Sequence, residues 1–258
     1  MAGSPPYRKK WGQHFLRDSN LIRKIIRIIN PQGSDNFLEI GPGDGSLTKY
    51  LCAEVAHLAA VEVDPLLLAI LRTQKDLSSI QFIHGDVLQL KLDDLPIPCP
   101  VRVVGNIPYN ISSPIIFWLI KQRKYWEDAF LMVQREMADR LVAEVGTKEY
   151  GRLTVMTRAF FQIELCFTIP PHVFTPRPKV ESAFVAVKKR TSPLVEENQF
   201  NNFERVVGAA FAQRRKMLKN TLTGLPQLET RQSQLDLRRR PEQLTVEEFV
   251  SLLEQIHS

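Results

Sequence analysis

Four consecutive residues in the middle of the chain, Asn106-Ile107-Pro108-Tyr109, combine groups able to hold a planar amine. An asparagine amide offers a donor and an acceptor in one plane. Proline fixes the backbone and leaves neighbouring carbonyls free. Tyrosine presents a flat ring on which a base can stack. The exocyclic amine of adenine or cytosine is a poor nucleophile, because its lone pair is delocalised into the ring. Hydrogen bonds from its two N–H groups to the Asn106 oxygen and to a backbone carbonyl near Pro108 would favour a tetrahedral nitrogen in line with a methyl donor. A proline-containing turn with an asparagine cap is the plainer reading of the same residues.

A second constellation begins at 37–46, FLEIGPGDGS, which reads as a strand, a glycine turn and the start of a helix. Glycines let the backbone pass close to a ligand. Glu62 follows 21 positions after Gly41, at the end of the next apolar run, where an acid can accept hydrogen bonds from ribose hydroxyls. A dinucleotide is the obvious ligand, yet the turn departs from G-x-G-x-x-G. The third glycine comes one residue early, and Asp44 would repel a pyrophosphate. S-adenosylmethionine carries adenosine without phosphate, and its cationic end tolerates carboxylates. A glycine turn that binds nothing is the alternative. Asp86, after IQFIH, can accept from an adenine amino group or cap the helix that follows; both roles are compatible.

These residues need strand ends to carry them. Apolar strands are expected at 36–40, 58–63, 80–84, 101–104 and 129–133, with helical patterns between them at 47–54, 66–74 and 114–121. The alternation predicts a doubly wound α/β domain, a parallel sheet with helices on both faces. Runs 163–168 and 182–188 read as later, antiparallel strands. A polar linker at 191–198 then leads to helical spacing at 203–222 and 245–256. The expected boundaries are therefore a ligand-binding domain at 1–191 and a small all-helical domain at 192–258.

At 258 residues the chain is long enough for that arrangement, and 44% hydrophobic residues provide a core. No apolar run approaches the ~18 residues of a membrane span, and the start of the chain has no apolar stretch of a secretory signal. Cys52, Cys99 and Cys166 are far apart and read as reduced thiols in a cytoplasmic protein, not as a disulfide framework or a metal site. The net charge of +6 is concentrated: residues 1–27 hold seven basic side chains (Arg8, Lys9, Lys10, Arg17, Arg23, Lys24, Arg27) against Asp18 alone. A basic arm attracts polyanions such as nucleic acid or an anionic membrane surface; a solvated tail is the bland alternative.

The chain resembles the ribosomal RNA adenine N6-dimethyltransferases that act on the small subunit. The resemblance spans about 8–224. It rests on GQHFL at 12–16, EIGPGDGSLT at 39–48, VEVD at 61–64, Gly85-Asp86, GNIPYNISSPI at 105–115, YGRLTVM at 150–156, VFTPRPKVESA at 173–183 and FAQRRKMLKNTL at 211–222. It implies a Rossmann-like methyltransferase fold with S-adenosylmethionine as cofactor. The implied activity is dimethylation of two adjacent adenosines near the 3′ end of small-subunit ribosomal RNA, within an immature small ribosomal subunit. Carried over by position, His14, Leu16, Gly41, Glu62, Asp86 and Asn106 are cofactor contacts. Asn106, Pro108 and Tyr109 form the catalytic turn, and Phe174 is a second aromatic face for a flipped base. His14 stands where the pattern often has asparagine; a histidine still presents a ring nitrogen or its backbone.

With an RNA substrate implied, Arg214, Arg215, Lys216 and Lys219 become phosphate contacts. Arg238, Arg239 and Arg240 form a second basic cluster, read evenly as a contact or a solvated face. Methyl transfer in one displacement needs no metal, no covalent intermediate and no strong base; positioning and electrostatics supply the rate. Two other readings are a non-catalytic RNA-binding assembly factor and a related enzyme that dimethylates large-subunit RNA. A monomer is expected.

Overall fold

The computed structural model describes residues 12–224 and 235–255, the last two by backbone alone. Arg8, Lys9 and Lys10 of the basic arm lie outside the described residues. The rest of that arm is not a tail. After a two-residue strand, β1 (Phe15–Leu16), comes α1 (Ser19–Ile29). The Asp18 carboxylate accepts from the Asn20 and Leu21 amides at 2.8 and 3.0 Å and starts the helix. Ile22, Ile25 and Ile29 bury one stripe, while Arg23 and Arg27 stay outside. The basic charge therefore decorates a packed amphipathic helix.

Then follow β2 (Asn36–Ile40), α2 (Thr48–Cys52), β3 (His57–Glu62), α3 (Pro65–Arg72), β4 (Gln81–His84), β5 (Val101–Asn106), α4 (Ser112–Lys121), β6 (Trp126–Gln134), α5 (Arg135–Leu141), α6 (Arg152–Arg158), β7 (Phe161–Ile169), β8 (Phe174–Thr175) and β9 (Ser182–Lys189). The main sheet runs β4-β3-β2-β5-β6-β9-β7, with β2 to β6 parallel and β9 antiparallel to β6. Strand order reverses between β2 and β5, so a crevice opens beyond their carboxyl ends, the ligand position of doubly wound sheets. All seven expected strands are present. Most are apolar on both faces because helices cover both, as in Phe37, Leu38, Val103, Val104 and Leu131. Two short strands without a sequence signal, β1 and β8, pair antiparallel with Phe15 opposite Thr175 and Leu16 opposite Phe174.

Packing divides the chain into two units. One runs through Ala138 and resumes over Glu164–Lys188; the other comprises Asp139–Ile163 and the chain from Lys189 onward. The second unit thus takes in a segment expected in the first domain. It contains α6, α7 (Phe200–Ala212), α8 (Leu218–Thr221) and α9 (Val246–Ser251). Its core gathers Phe160, Phe203 and Phe249, with the buried Tyr150 hydroxyl donating to the Leu244 carbonyl at 2.8 Å. The helix expected over 203–222 is broken at 213–217. Leu218 is fully buried, and the Leu218 and Lys219 amides donate to the carbonyls of Arg239 and Leu237 at 3.0 and 2.9 Å, so the chain must turn there.

Candidate active site

A cavity of about 240 Å³ lies at the carboxyl ends of β2, β3, β4 and β5 in the first unit. His14, Leu16, Gly41, Glu62, Asp86, Asn106, Pro108 and Tyr109 all line it. Residues predicted from two separate constellations thus meet in one chamber. Phe174 does not line it. Its ring is 3% exposed, packed in the core with Leu16, Val173 and Phe184. Strand β8 turns Phe174 inward because its neighbour in the pairing, Leu16, is also buried.

The glycine turn is shaped by its hydrogen bonds. Gly41, Gly43 and Gly45 all have positive φ, 67°, 61° and 82°, a region other residues rarely adopt. Glu62 holds this turn from β3. Its Oε2 accepts from the Gly43 amide at 3.2 Å and its Oε1 from the Asp64 amide at 2.9 Å. Each oxygen retains a lone pair for a ligand hydroxyl. Burial pushes the Glu62 carboxyl above the usual carboxylate range, and the two amides oppose the shift. Asp44 is tied by Arg17 at 2.6 Å and by the Ser46 hydroxyl at 2.6 Å. Asp86 accepts from the Leu88 amide at 3.0 Å while also lining the cavity, so the cap and the ligand-facing roles coexist.

Glu39, which carried no role in the sequence reading, is the most unusual group here. It is 2% exposed and lines the cavity, and its Oε2 has no hydrogen-bond partner. Thr48 stands beside it, but the Thr48 hydroxyl too lacks a partner of acceptable hydrogen-bond geometry. Burial raises the Glu39 carboxyl to about 8, and the nearby Glu62 and Asp44 charges add to the rise. The available signal was a charged residue inside an otherwise apolar buried strand. With Asp44 paired to Arg17 and no lysine or arginine among the described residues lining the chamber, Glu62 and Asp86 disfavour a pyrophosphate, and the buried Glu39 can ionise only against a cation. This argues against the dinucleotide alternative and fits S-adenosylmethionine.

On the other wall, Asn106 Nδ2 donates to the His14 carbonyl at 2.6 Å, with the amide oriented by this bond. Its Oδ1 is therefore the end presented as an acceptor. The Tyr109 hydroxyl shares a hydrogen bond of 2.7 Å with Ser182 Oγ, and burial raises its pKa, so it stays protonated. The Pro108 carbonyl accepts from the Ile111 amide at 3.1 Å.

In the second unit Arg215, Lys216 and Lys219 are exposed. Arg214 donates to the Thr147 carbonyl at 3.1 Å, which anchors it locally. The four do not share one helix: the first three lie in the turn after α7 and Lys219 lies in α8. In the Arg238–240 cluster, Arg238 pairs with Asp236 at 3.0 Å and Arg239 with Glu248 at 2.5 Å. Arg239 is thereby tied to α9, whereas Arg238 stays exposed beside its near neighbour. Among the described residues no group of three His, Cys, Asp or Glu could hold a metal, and no helix is long and apolar enough to cross a membrane.

A family model described as ribosomal RNA adenine dimethylase matches residues 6–258. Ribosomal RNA small subunit methyltransferase A of Coxiella burnetii (strain RSA 331 / Henzerling II) is 41% identical over 254 residues, 96% of this chain and 96% of that protein. The protein of the same name from Saccharophagus degradans is 43% identical over 249 residues, 95% and 92%. Among solved structures, a dimethyladenosine transferase from Plasmodium falciparum superposes with a TM-score of 0.79 at 26% identity, over 93% of this chain and 96% of that one. The 23S rRNA methyltransferase ErmE gives 0.73 at 28% identity, over 94% and 99%.

Proposed function

The chain belongs to the ribosomal RNA adenine dimethylase family, and on that footing we propose that its cavity holds S-adenosylmethionine against the amine of a flipped-out adenosine. The protein is an S-adenosylmethionine-dependent methyltransferase that dimethylates adenine N6 in small-subunit ribosomal RNA. The finer reading is that the targets are two adjacent adenosines near the 3′ end of that RNA, met in an immature small subunit in the cytoplasm by a monomeric enzyme.

When bound, the cofactor supplies a methyl group on a sulfonium centre. Glu62 takes the ribose hydroxyls, Asp86 the adenine amino group, and Glu39 the cationic amino acid end. His14 and Leu16 wall the cavity beside them. The Asn106 oxygen and a backbone carbonyl near Pro108 accept the two N–H groups of the target amine, which lends tetrahedral character to the nitrogen. An adenine inside folded RNA must leave its stack to reach this point, and Tyr109 offers a ring to replace the lost stacking. The amine sheds its proton during or after transfer, so no strong base is required, and the protonated Tyr109 hydroxyl is not one. Arg215, Lys216 and Lys219 serve as phosphate contacts, with Arg214 fixing the turn that presents them. The domain roles follow: the first unit binds cofactor and performs transfer, and the second binds RNA.

The observation that carries this reading is the Asn106 amide, locked by the His14 carbonyl with its oxygen free for a substrate amine. The direct test is methylation of immature small subunits and naked large-subunit RNA in parallel, with the product nucleoside identified. N6,N6-dimethyladenosine in the small subunit alone is the expected result. Methylation of the large-subunit RNA instead would overturn the substrate assignment.

A further inference from the structure

His14 reaches the site in three ways, and only one of them is backbone. Its carbonyl accepts from Asn106 Nδ2 at 2.6 Å. Its ring stacks on Tyr109, with centroids 5.4 Å apart and planes inclined by 27°. Its Nδ1 lies 2.6 Å from the Pro176 carbonyl oxygen. A carbonyl oxygen can only accept, so Nδ1 carries the proton, and a neutral His14 has its lone pair on Nε2. The ring is thereby fixed in orientation.

The neighbouring residues explain why this side chain can join two distant segments. β1 begins immediately after His14 and pairs with β8, Phe15 opposite Thr175 and Leu16 opposite Phe174. Pro176 follows β8 directly. His14 therefore bridges the segment 174–176 to the Asn106–Tyr109 turn. On its other side Tyr109 is held through its hydroxyl by the fully buried Ser182 at 2.7 Å. The Tyr109 ring has one face against His14 and its edge pinned by Ser182.

We infer that His14 acts as a positioning residue for the target base, holding the Tyr109 ring in the stacking plane and tying the 174–176 segment to it. The inference rests on the methyl-transfer reading of the same cavity. The stack order is then His14, Tyr109, adenine. Only the His14 backbone serves the Asn106 amide, so substitutions of the ring leave that hydrogen bond in place.

The test compares wild type, His14→Ala and His14→Phe on the RNA substrate. Three quantities are read on each: cofactor Kd by calorimetry, single-turnover methylation rate, and emission of 2-aminopurine placed at the target position. Rates are compared at saturating cofactor, with Kd read on each variant, so that any change in cofactor affinity is kept apart from the stacking effect. His14→Ala should slow methylation by about ten- to a hundredfold, the scale of one lost base–aromatic stack, and brighten the bound 2-aminopurine as stacking loosens. His14→Phe keeps a ring against Tyr109 and should recover much of the rate and the quenching. The inference is overturned if His14→Ala leaves the 2-aminopurine emission at the wild-type level, because the Tyr109 ring then holds the base without His14. It is equally overturned if His14→Ala methylates at the wild-type rate. Should His14→Ala fail to fold, His14→Phe decides alone: wild-type-like quenching supports the inference, and loss of quenching overturns it. A wild type that transfers no methyl group to adenine marks failure of the functional reading itself.

Discussion

Gly105 lies so close against Ile40 that a methyl group on its α-carbon would sit 2.7 Å from the Ile40 carbonyl oxygen. The two residues are register partners in β5 and β2, the strands that flank the crevice. The near atom is backbone and cannot step aside. Gly105→Ala should therefore push the two strands apart, costing about 1–3 kcal/mol of stability. Because Asn106 follows directly, the methylation rate should fall further than stability alone explains. Thermal unfolding and single-turnover rates on the one variant check this. An alanine protein with unchanged melting temperature would show that the strands can yield.

Glu62→Gln should weaken cofactor binding by about 1.5–3 kcal/mol, roughly ten- to a hundredfold in Kd. Glutamine cannot serve both the Gly43 and Asp64 amides, since one of its ends is a donor. A modest loss of melting temperature should accompany the weaker binding. Alanine is the poorer probe, because it would strip both backbone amides of their acceptor. Calorimetry reads the affinity, and an unchanged Kd would take Glu62 out of the ligand contacts.

Burial lifts Glu39 from its ordinary 4.5 to about 8, so the folded protein holds that proton more tightly than the unfolded chain. The resulting contribution to stability is complete below 4.5 and is lost as pH rises through about 8. Ligand-free protein should therefore melt at a lower temperature at pH 8 than at pH 6, and Glu39→Gln should flatten that difference. A cationic ligand end beside Glu39 favours the carboxylate, so cofactor binding near pH 7 should release a proton. Titration calorimetry in buffers of different ionisation heat detects the release. Equal apparent enthalpies in all buffers would contradict it.

Two aromatics that looked alike in the sequence should separate in the laboratory. Tyr109→Ala should lower kcat/KM by about ten- to a hundredfold with a small stability change. Tyr109→Phe keeps the ring and loses the bond to Ser182, worth about 1 kcal/mol, so most activity should remain. Phe174→Ala should instead destabilise by about 3–5 kcal/mol, the range for a buried phenylalanine. Melting curves and kinetics on the same samples distinguish the two. Should Phe174→Ala melt like wild type and lose activity, its ring turns outward to meet the base after all.

The elements legible in the sequence were those whose pattern is local. The strands β2 to β6 read correctly because burial on both faces leaves continuous apolar runs. The residues from Gly41 to Tyr109 that meet in the cavity are legible because glycine, acid and asparagine sit at strand ends. Helix α1 was hidden because its arginines and lysines dominated the reading of 1–27, although Ile22, Ile25 and Ile29 carry a helical stripe. Phe174 was misplaced for a different reason. Its direction depends on pairing with Leu16, a partner far away in sequence. Glu39 is hard to single out because it sits in a motif whose glycines carry the ligand signal. The turn at 213–217 depends on Leu218 reaching a core that sequence spacing alone does not locate.

The pairing of β1 with β8 has a consequence in time as well as in space. Residues 15 and 16 leave the ribosome early, while their partners 174 and 175 follow only after most of the sheet has been synthesised. Contacts of such sequence separation form late, because a long loop must close before they yield any gain. The nascent chain can lay down β2 to β6 before this wall of the chamber is fastened. A cofactor-binding signal on stalled nascent chains should therefore strengthen as the chain grows past Pro176. This wall of the pocket is thus fastened only after the strands that carry the rest of it have been made.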